Sequence, residues 1–248
     1  MVASFALLML AAFGSGIVNA VAGGGAFLSF PALVFAGIPP VDANASSTVA
    51  LFPGQATTAW AYRRDVGGIR EITIVPLIVL SVVGGALGAL LLVFTSNAVF
   101  VTLVPWLLLL ATTVFAIGNF APPRATTRFQ LGKSGVLVAQ FIIAIYGGYF
   151  GGGIGFLMLA ALTLYGMRDI HAMNGLKILL ATLMNGAAVV AFIIAGLVRW
   201  PETLAMALAS VGGGYVGAVA AKRIDQRLLK SFIVLLGVAL TIYFFYRG

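Results

Sequence analysis

Apolar residues along the chain form long unbroken runs, not the one-sided or alternating patterns of a soluble domain. The runs at 1–41, 72–123 and 134–167 contain no Asp, Glu, Lys or Arg. A helix needs only about 20 apolar residues to cross a bilayer. Gly, Pro and charged residues divide the runs into ten predicted helical segments. These segments lie near 2–22, 24–38, 44–62, 71–94, 97–118, 133–150, 152–166, 174–197, 201–221 and 228–246.

The second and seventh segments are short for a full crossing, so the pattern predicts an all-α polytopic membrane protein with eight to ten transmembrane segments. The composition agrees, with 62% hydrophobic and 8% charged residues and a mean hydropathy of +1.13. We expect an integral, multi-pass protein of the cell membrane. In a bacterium this would be the inner membrane. The first run is not expected to be a cleavable signal, because it lacks a basic start and leads into further apolar segments.

The net charge of +8 comes from residues in short connections between apolar runs, and such placement encodes membrane topology rather than nucleic-acid binding. Eleven of the fourteen Lys and Arg fall in four connections. They are Arg63, Arg64 and Arg70; Arg124, Arg128 and Lys133; Arg168; and Lys222, Arg223, Arg227 and Lys230. If all ten segments cross, these connections share one face, which the positive-inside rule makes cytoplasmic. If segments two and seven only dip in and return, the connection at 222–230 falls outside, so the charges argue against that topology.

An internal repeat joins the two halves of the chain. "SVVGGALGA" at 81–89 matches "SVGGGYVGA" at 210–218, an offset of about 130 residues. The sequence therefore predicts an N-terminal repeat at 1–120, a basic cytoplasmic linker at 121–132 and a C-terminal repeat at 133–248. The connection after segment three is predicted inside and its counterpart after segment eight outside, so the repeats are predicted to be inverted.

Two glycine stretches interrupt apolar segments at corresponding places, 23–25 and "GGYFGGGIGF" at 147–156. Non-helical backbone is tolerated in hydrocarbon only where it is buried in protein or lines a wet cavity. Paired interruptions of this kind indicate a transport site. Close helix packing is the alternative. We favour broken helices, because each of three consecutive glycines costs about 1 kcal/mol in a helix.

Close packing is assigned instead to two GxxxG pairs, which are expected to let helices four and nine pack tightly. The pairs are Gly84 with Gly88 and Gly213 with Gly217.

Four stretches carry a family resemblance. "GSGIVNAVAGGGAFLSFPAL" (14–33) with "GIPPVDANASS" (37–47), and "GGYFGGGIGFLML" (147–159) with "YGMRDIHAMNGLK" (165–177), resemble the TauE/SafE family of membrane permeases. The likeness covers both halves and implies a transporter of sulfite, sulfoacetate and related organosulfur anions, commonly by export. One departure is visible, since Pro31 follows the first glycines and no proline follows the second. The second helix break therefore depends on glycine alone.

Polar residues form matching stripes on segments three and eight, where Asn44, Ser47 and Gln55 fall on their counterparts 130 residues later. Each trio spans about 80° of helix circumference. Site lining and helix-to-helix hydrogen bonding both explain such stripes, and Asn44 and Asn174 are also candidate N-caps. The candidate substrate-binding residues are Asn19, Gly23, Gly24, Gly25, Asn44, Ser47, Gln55, Gly151, Gly152, Gly153, Asn174, Lys177 and Asn185.

Lys177 is the one charged residue that is not easily placed in a connection between predicted segments. Its ammonium either snorkels to the cytoplasmic surface or faces a cavity and attracts an anion. Helix N-termini at the glycine breaks would add N–H donors to the same place, an arrangement that suits a small oxyanion. His171 and Asp42 are expected to be connection residues at the membrane surface. With no Asp or Glu beyond the first two residues of a predicted segment, no carboxylate proton relay is predicted.

The sequence thus predicts a permease for small anions that works by alternating access, with export the expected direction and sulfite or organosulfonates the expected substrates. An enzyme is not expected, since GxSxG, HExxH and an intramembrane carboxylate pair are all missing. The alternatives are an anion channel and an intramembrane enzyme or scaffold. No metal or cofactor is expected, because the chain has no Cys and one His. The expected partners are a small anion and the lipid bilayer, not nucleic acid, and no oligomeric state is predicted.

Overall fold

A computed structural model describes residues 2–22, 24–64, 66, 69, 72–120, 131–167, 169–220 and 226–247. This part of the chain is built of α-helices, as the apolar runs predict. The helices are α1 (Val2–Ala22), α2 (Ala26–Phe35), α3 (Pro40–Ala61), α4 (Ile74–Val93), α5 (Asn97–Phe120), α6 (Lys133–Tyr149), α7 (Ile154–Leu164), α8 (Ile170–Ile194), α9 (Trp200–Ala220) and α10 (Gln226–Arg247), with a 3-10 turn at Tyr62–Arg64. Each predicted segment corresponds to one helix.

The largest boundary differences are at the starts of α3 and α8, which both begin four residues earlier than predicted. Proline fits the first position of a helix because the N–H it lacks has no helical partner there, so Pro40 starts α3. At α8 the side chain of Asp169 accepts a hydrogen bond from the N–H of Ala172 over 3.4 Å. The N-cap alternative for Asn44 and Asn174 is therefore wrong, since each lies in the second turn of its helix.

Three described stretches are long and apolar enough to cross a membrane on their own: Ile74–Val93, Asn97–Ile117 and Ala172–Ile194. Large apolar side chains such as Leu10, Ile194 and Leu208 are exposed on the outside of the bundle, as lipid contact requires. By contrast, α2 and α7 have only 10 and 11 residues. At 1.5 Å per residue each covers about half of a hydrocarbon core roughly 30 Å thick.

Helix ends gather at two opposite ends of the bundle. At the first, which we call the Asp42 end, the N–H of Val41 donates to the Asn97 side chain over 2.9 Å, and Arg199 pairs with Asp42. At the other, the Lys133 end, the N–H of Leu131 donates to the Leu164 carbonyl over 3.0 Å, just before Lys133 begins α6. This grouping is the one expected if successive segments cross in alternate directions.

All four basic connections on which the predicted orientation depends lie at least partly outside the described residues. Arg70, Arg124, Arg128, Arg168, Lys222 and Arg223 belong to that group. Arg63, Arg64 and Lys133 are described. The cytoplasmic assignment of the Lys133 end therefore stays a prediction.

The helix contacts keep the same pattern when helices 1–5 are exchanged with helices 6–10. Thus α1 packs on α9 while α6 packs on α4, and α3 packs on α9 while α8 packs on α4. The remaining cross-half contacts include α3 with α8 and α5 with α10, which this exchange leaves unchanged. Two equivalent halves would produce this pattern, and the inverted repeat itself stays a prediction.

Glycine makes the closest of these contacts possible. A Cβ added to Gly213 would overlap the carbonyl oxygen of Phe13 in α1, and one on Gly217 would lie 2.7 Å from the Cα of Ile17. In the other half, a Cβ on Gly84 would lie 2.6 Å from the Cβ of Ala144 in α6. The prediction that the GxxxG pairs serve tight packing is confirmed. Their partners are the first helices of the opposite halves.

We expect Gly213→Ala to destabilise the protein by about 1–3 kcal/mol, the usual cost of overpacking. The added methyl meets backbone, which cannot move away cheaply. Gly212→Ala is the matched control, because its methyl would meet only the Phe13 ring at 3.9 Å. Thermal unfolding of both variants in detergent measures the difference, and equal melting temperatures would contradict the packing role of Gly213.

Candidate functional site

The first glycine stretch ends α1 and starts α2. Helix α1 ends at Ala22 and α2 begins at Ala26. Gly24 and Gly25 lie between the helices, and Gly23 lies outside the described residues. Gly25 has nearly helical dihedral angles, φ −56° and ψ −33°. Its need for glycine is steric, since a Cβ would lie 2.5 Å from the carbonyl oxygen of Ser15 in α1.

The second glycine stretch breaks the chain by a different geometry. Helix α6 ends at Tyr149 and α7 begins at Ile154. Between them, Gly151 and Gly153 have φ values of +71° and +73°, a left-handed conformation that L side chains rarely adopt. This break needs no proline. The prediction that both glycine stretches interrupt helices is confirmed.

The two breaks border one cavity of about 70 Å³, which also lies against α1, α3 and α8. A water needs only about 10–15 Å³ of such space, so the cavity has room for several waters or a small ion. Its lining residues are Asn19, Ala20, Gly25, Ala26, Thr48, Leu51, Gln55, Thr58, Gly151, Ile154, Gly155, Lys177, Ile178, Ala181 and Asn185.

Six of the predicted site residues line this cavity: Asn19, Gly25, Gln55, Gly151, Lys177 and Asn185. The other described candidates lie beside it and do not line it: Gly24, Asn44, Ser47, Gly152, Gly153 and Asn174.

Gln55 and Asn185 join the two halves across the cavity. The Nδ2 group of Asn185 donates to Oε1 of Gln55 over 2.8 Å, and the two residues are 130 positions apart. This separation equals the repeat offset, so equivalent side chains of the two stripes meet each other. The Oδ1 atom of Asn185 is buried and has no hydrogen-bond partner among the described residues. The pair thus combines the two roles that the sequence left open, since it links helices and lines the cavity.

Lys177 brings a positive charge to the cavity. Its Nζ atom donates to Oδ1 of Asn174 over 3.0 Å, a neutral partner. The side chain lies two turns inside α8, because the helix begins at Ile170. Among the described lining residues no Asp or Glu accompanies it. An ammonium group with only a neutral partner in a partly buried cavity attracts anions.

Asn44 and Ser47 do not line the cavity, but each hydrogen bonds a segment next to a helix break. Asn44 is 2% exposed, and its Nδ2 group donates over 3.0 Å to the carbonyl oxygen of Tyr149, the last residue of α6. The bond satisfies a carbonyl that the helix break leaves without its helical partner. Ser47 is 1% exposed and hydrogen bonds the Ser29 hydroxyl of α2 at an oxygen–oxygen distance of 2.7 Å.

Sequence reasoning missed several residues around the cavity. Thr48 and Thr58 line it, and their hydroxyls donate to the carbonyls of Asn44 and Gly54 within α3, so only oxygen lone pairs remain for a ligand. Both follow a stripe residue by one helical turn, a spacing that could have identified them.

Two further groups at the second break were missed. The N–H of Gly155, in the first turn of α7, finds no backbone acceptor among the described residues. Tyr146 donates its hydroxyl to the Gly152 carbonyl over 2.8 Å and so fixes the break. Neither feature has a signal in the sequence, since both depend on the path of the chain after α6.

Asp42 and His171 take no described part in the cavity. Asp42 lies in the first turn of α3, not in a connection as expected, and pairs with Nε of Arg199 over 3.0 Å at the Asp42 end. The side chain of His171 lies outside the described part of the structure.

Apolar helices that break around a polar cavity are a construction typical of membrane transporters. Residues 8–244 match the family described as Sulfite exporter TauE/SafE, and the chain belongs to this family. It is an integral membrane transporter, not an enzyme. The resemblance inferred from the glycine motifs is thus confirmed.

Similar proteins include a probable membrane transporter protein, ORF9, of Sinorhizobium sp, 32% identical over 96% of this chain and 90% of that one. A probable membrane transporter protein of Haemophilus influenzae is 28% identical over 95% of this chain and 92% of its own length. The probable membrane transporter protein YfcA of Escherichia coli is 27% identical over 95% and 87%. No solved structure matches the chain.

The hydrogen bond between Gln55 and Asn185 predicts coupling between the two halves. In a double-mutant cycle of Gln55→Ala and Asn185→Ala, we expect an interaction energy of about 0.6–1.7 kcal/mol, the range found for polar contacts between membrane helices. Unfolding by denaturing detergent measures it. Gln55→Ala combined with Thr241→Ala in α10 is the control, because Thr241 bonds only within its own helix. Additive effects in the first cycle would show that the contact contributes nothing.

Proposed function

We propose that this transporter moves small anions, sulfite or sulfonate-type sulfur oxyanions, out of the cell by alternating access. One observation carries the proposal: the ammonium of Lys177 lines a cavity between two helix breaks, with no carboxylate among the described lining residues. A cationic substrate would be repelled by this ammonium, whereas an anionic substrate gains a charge-assisted hydrogen bond. The family's description supplies sulfite and the direction of transport.

Three further lining groups offer hydrogen-bond donors to an anion of few atoms. The N-terminal turn of α7 reaches the cavity through Ile154 and Gly155, and helix N-termini bring N–H donors and partial positive charge to anions. Asn19 and Gln55 add side-chain amides, which can donate to oxyanion oxygens. A volume of about 70 Å³ favours small inorganic oxyanions and short sulfonates over larger metabolites.

The position of the cavity supports alternating access. Thr58 lines it three residues before α3 ends, and Lys177 seven residues after α8 begins. Both helix termini adjoin the connections of the Lys133 end, so the cavity lies toward that end. This is the arrangement expected of a site open to one side of the membrane.

Aromatic rings pack together on the side of the Asp42 end. The ring of Phe30 contacts the rings of Phe100, Phe150 and Phe244, with centroid distances of 6.1, 5.8 and 5.8 Å. These rings belong to α2, α5, the second break and α10. In the proposed cycle this packed layer is the closed side of the site and the cavity is the open side, as one state of alternating access requires.

Reconstituted protein tests the proposal through uptake of labelled sulfite, short sulfonates and sulfate into proteoliposomes. We expect saturable uptake with counterflow. In Lys177→Ala the KM for sulfite should rise at least about tenfold, because the charge-assisted bond to the anion is lost. Lys133→Ala is the control, since this exposed lysine starts α6 outside the cavity.

Flux no faster than in protein-free vesicles, for every anion offered, would overturn the proposal. Parental kinetics in both Lys177→Ala and Asn185→Ala would remove the proposed site even if transport occurs. A steady current that does not saturate would support the channel alternative instead.

A further inference from the structure

Ser47 and Lys177 occupy equivalent positions of the two halves, 130 residues apart, but lie in opposite surroundings. Ser47 is 1% exposed and bonded to Ser29 of α2. Lys177 lines the cavity. The first half therefore shows what this helix position looks like when it is closed, and the second half shows what it looks like when it is open.

The counterpart of Ser29 in the second half is apolar. The glycine stretches pair at an offset of 128, and the following Phe-Leu dipeptides, at 27–28 and 156–157, pair at 129. These offsets place Leu157 or Met158 at the position of Ser29. Neither side chain offers an oxygen or nitrogen to an ammonium. A closed second half therefore provides Lys177 with no polar partner from α7.

Alternating access by inverted halves exchanges their surroundings, so closing the cavity toward the Lys133 end would give Lys177 the sealed position that Ser47 has now. Burial of an ammonium without a counter-charge is strongly unfavourable. The side-chain oxygen Oδ1 of Asn174 is neutral, and it is the one acceptor among the described residues for the three N–H groups of Lys177. An anion held on Lys177 would remove the penalty, because the pair enters the closed site together.

We propose that the protein is an obligatory anion exchanger, an inference that rests on the proposed function above. The site changes sides only when an anion is paired with Lys177, so an anion that leaves must be replaced by one that enters. The ammonium of Lys177 is then never sealed in the closed site without an anion. No proton or cation is needed to drive the exchange. Net export then depends on a second anion outside the cell.

Efflux of labelled sulfite from proteoliposomes tests the exchange. Vesicles are diluted into buffer with either unlabelled sulfite or gluconate at equal ionic strength. We expect efflux to be at least about tenfold faster into sulfite, because the empty site returns slowly. Lys177→Ser, which places the residue of the first half in the second, should bring the two rates within about twofold of each other, although its affinity for sulfite falls.

Two further variants isolate the charge from the shape of the side chain. Lys177→Arg keeps the charge and should keep the dependence on external sulfite. Lys133→Ser, which removes an exposed lysine outside the cavity, should behave as the parent. Melting temperatures in detergent establish that each variant is folded, and Lys177→Gln serves as the neutral variant if the serine does not fold.

The outcomes separate this inference from the proposed function. Parental efflux that is equally fast into gluconate and sulfite would refute exchange and leave anion transport standing. No sulfite movement by the parent in either buffer would overturn both. A folded, neutral Lys177 variant that still requires external sulfite would show that the exchange does not depend on this residue.

Discussion

The structure depends on one constraint: main-chain N–H and C=O groups inside a lipid bilayer need partners that lipid cannot supply. Helices meet most of this requirement in the described residues, and the two breaks interrupt them. There, Asn44 binds the carbonyl of Tyr149, and Tyr146 binds that of Gly152. The N–H of Gly155 has no backbone acceptor among the described residues and lies beside the cavity. The carbonyls of Tyr149 and Gly152 are thus bonded within the protein, whereas the N–H of Gly155 is not bonded to a described backbone group.

Close packing between the halves is what brings the breaks together. Each half's first helix lies against the glycine-rich helix of the other half, α1 on α9 and α6 on α4. Ser210 of α9 also donates to the carbonyl of Ala50 in α3 over 2.9 Å. The cavity consequently forms between the halves, with α1 and α3 on one side and α8 on the other. Neither half lines the cavity by itself.

Hydrophobic runs and glycine were enough to predict the helices, because length and apolarity are dictated by the bilayer. They also located the breaks and put Gln55 and Asn185 at matching positions of two stripes, but the contact between these side chains was not predicted. Depth within the bundle was harder to predict. Ser47 belongs to the same stripe as Gln55, but it faces Ser29 because α2 returns beside α3, and a sequence pattern does not specify that return. The N-cap interpretation of Asn44 failed because Pro40 starts the helix one turn earlier.

The two stripes are alike in their amides and unlike in charge, and this difference bears on mechanism. Gln55 and Asn185 contact each other, so exchanging the halves leaves their pairing in place. Ser47 and Lys177 do not contact each other and differ by a full positive charge. A symmetric hinge with neutral stripes would move as readily empty as occupied. The single lysine breaks that equality, because its position is favourable when open to water or to an anion and unfavourable when sealed among apolar side chains. In the proposed exchange, binding and movement are linked through one side chain, without a carboxylate relay among the described residues.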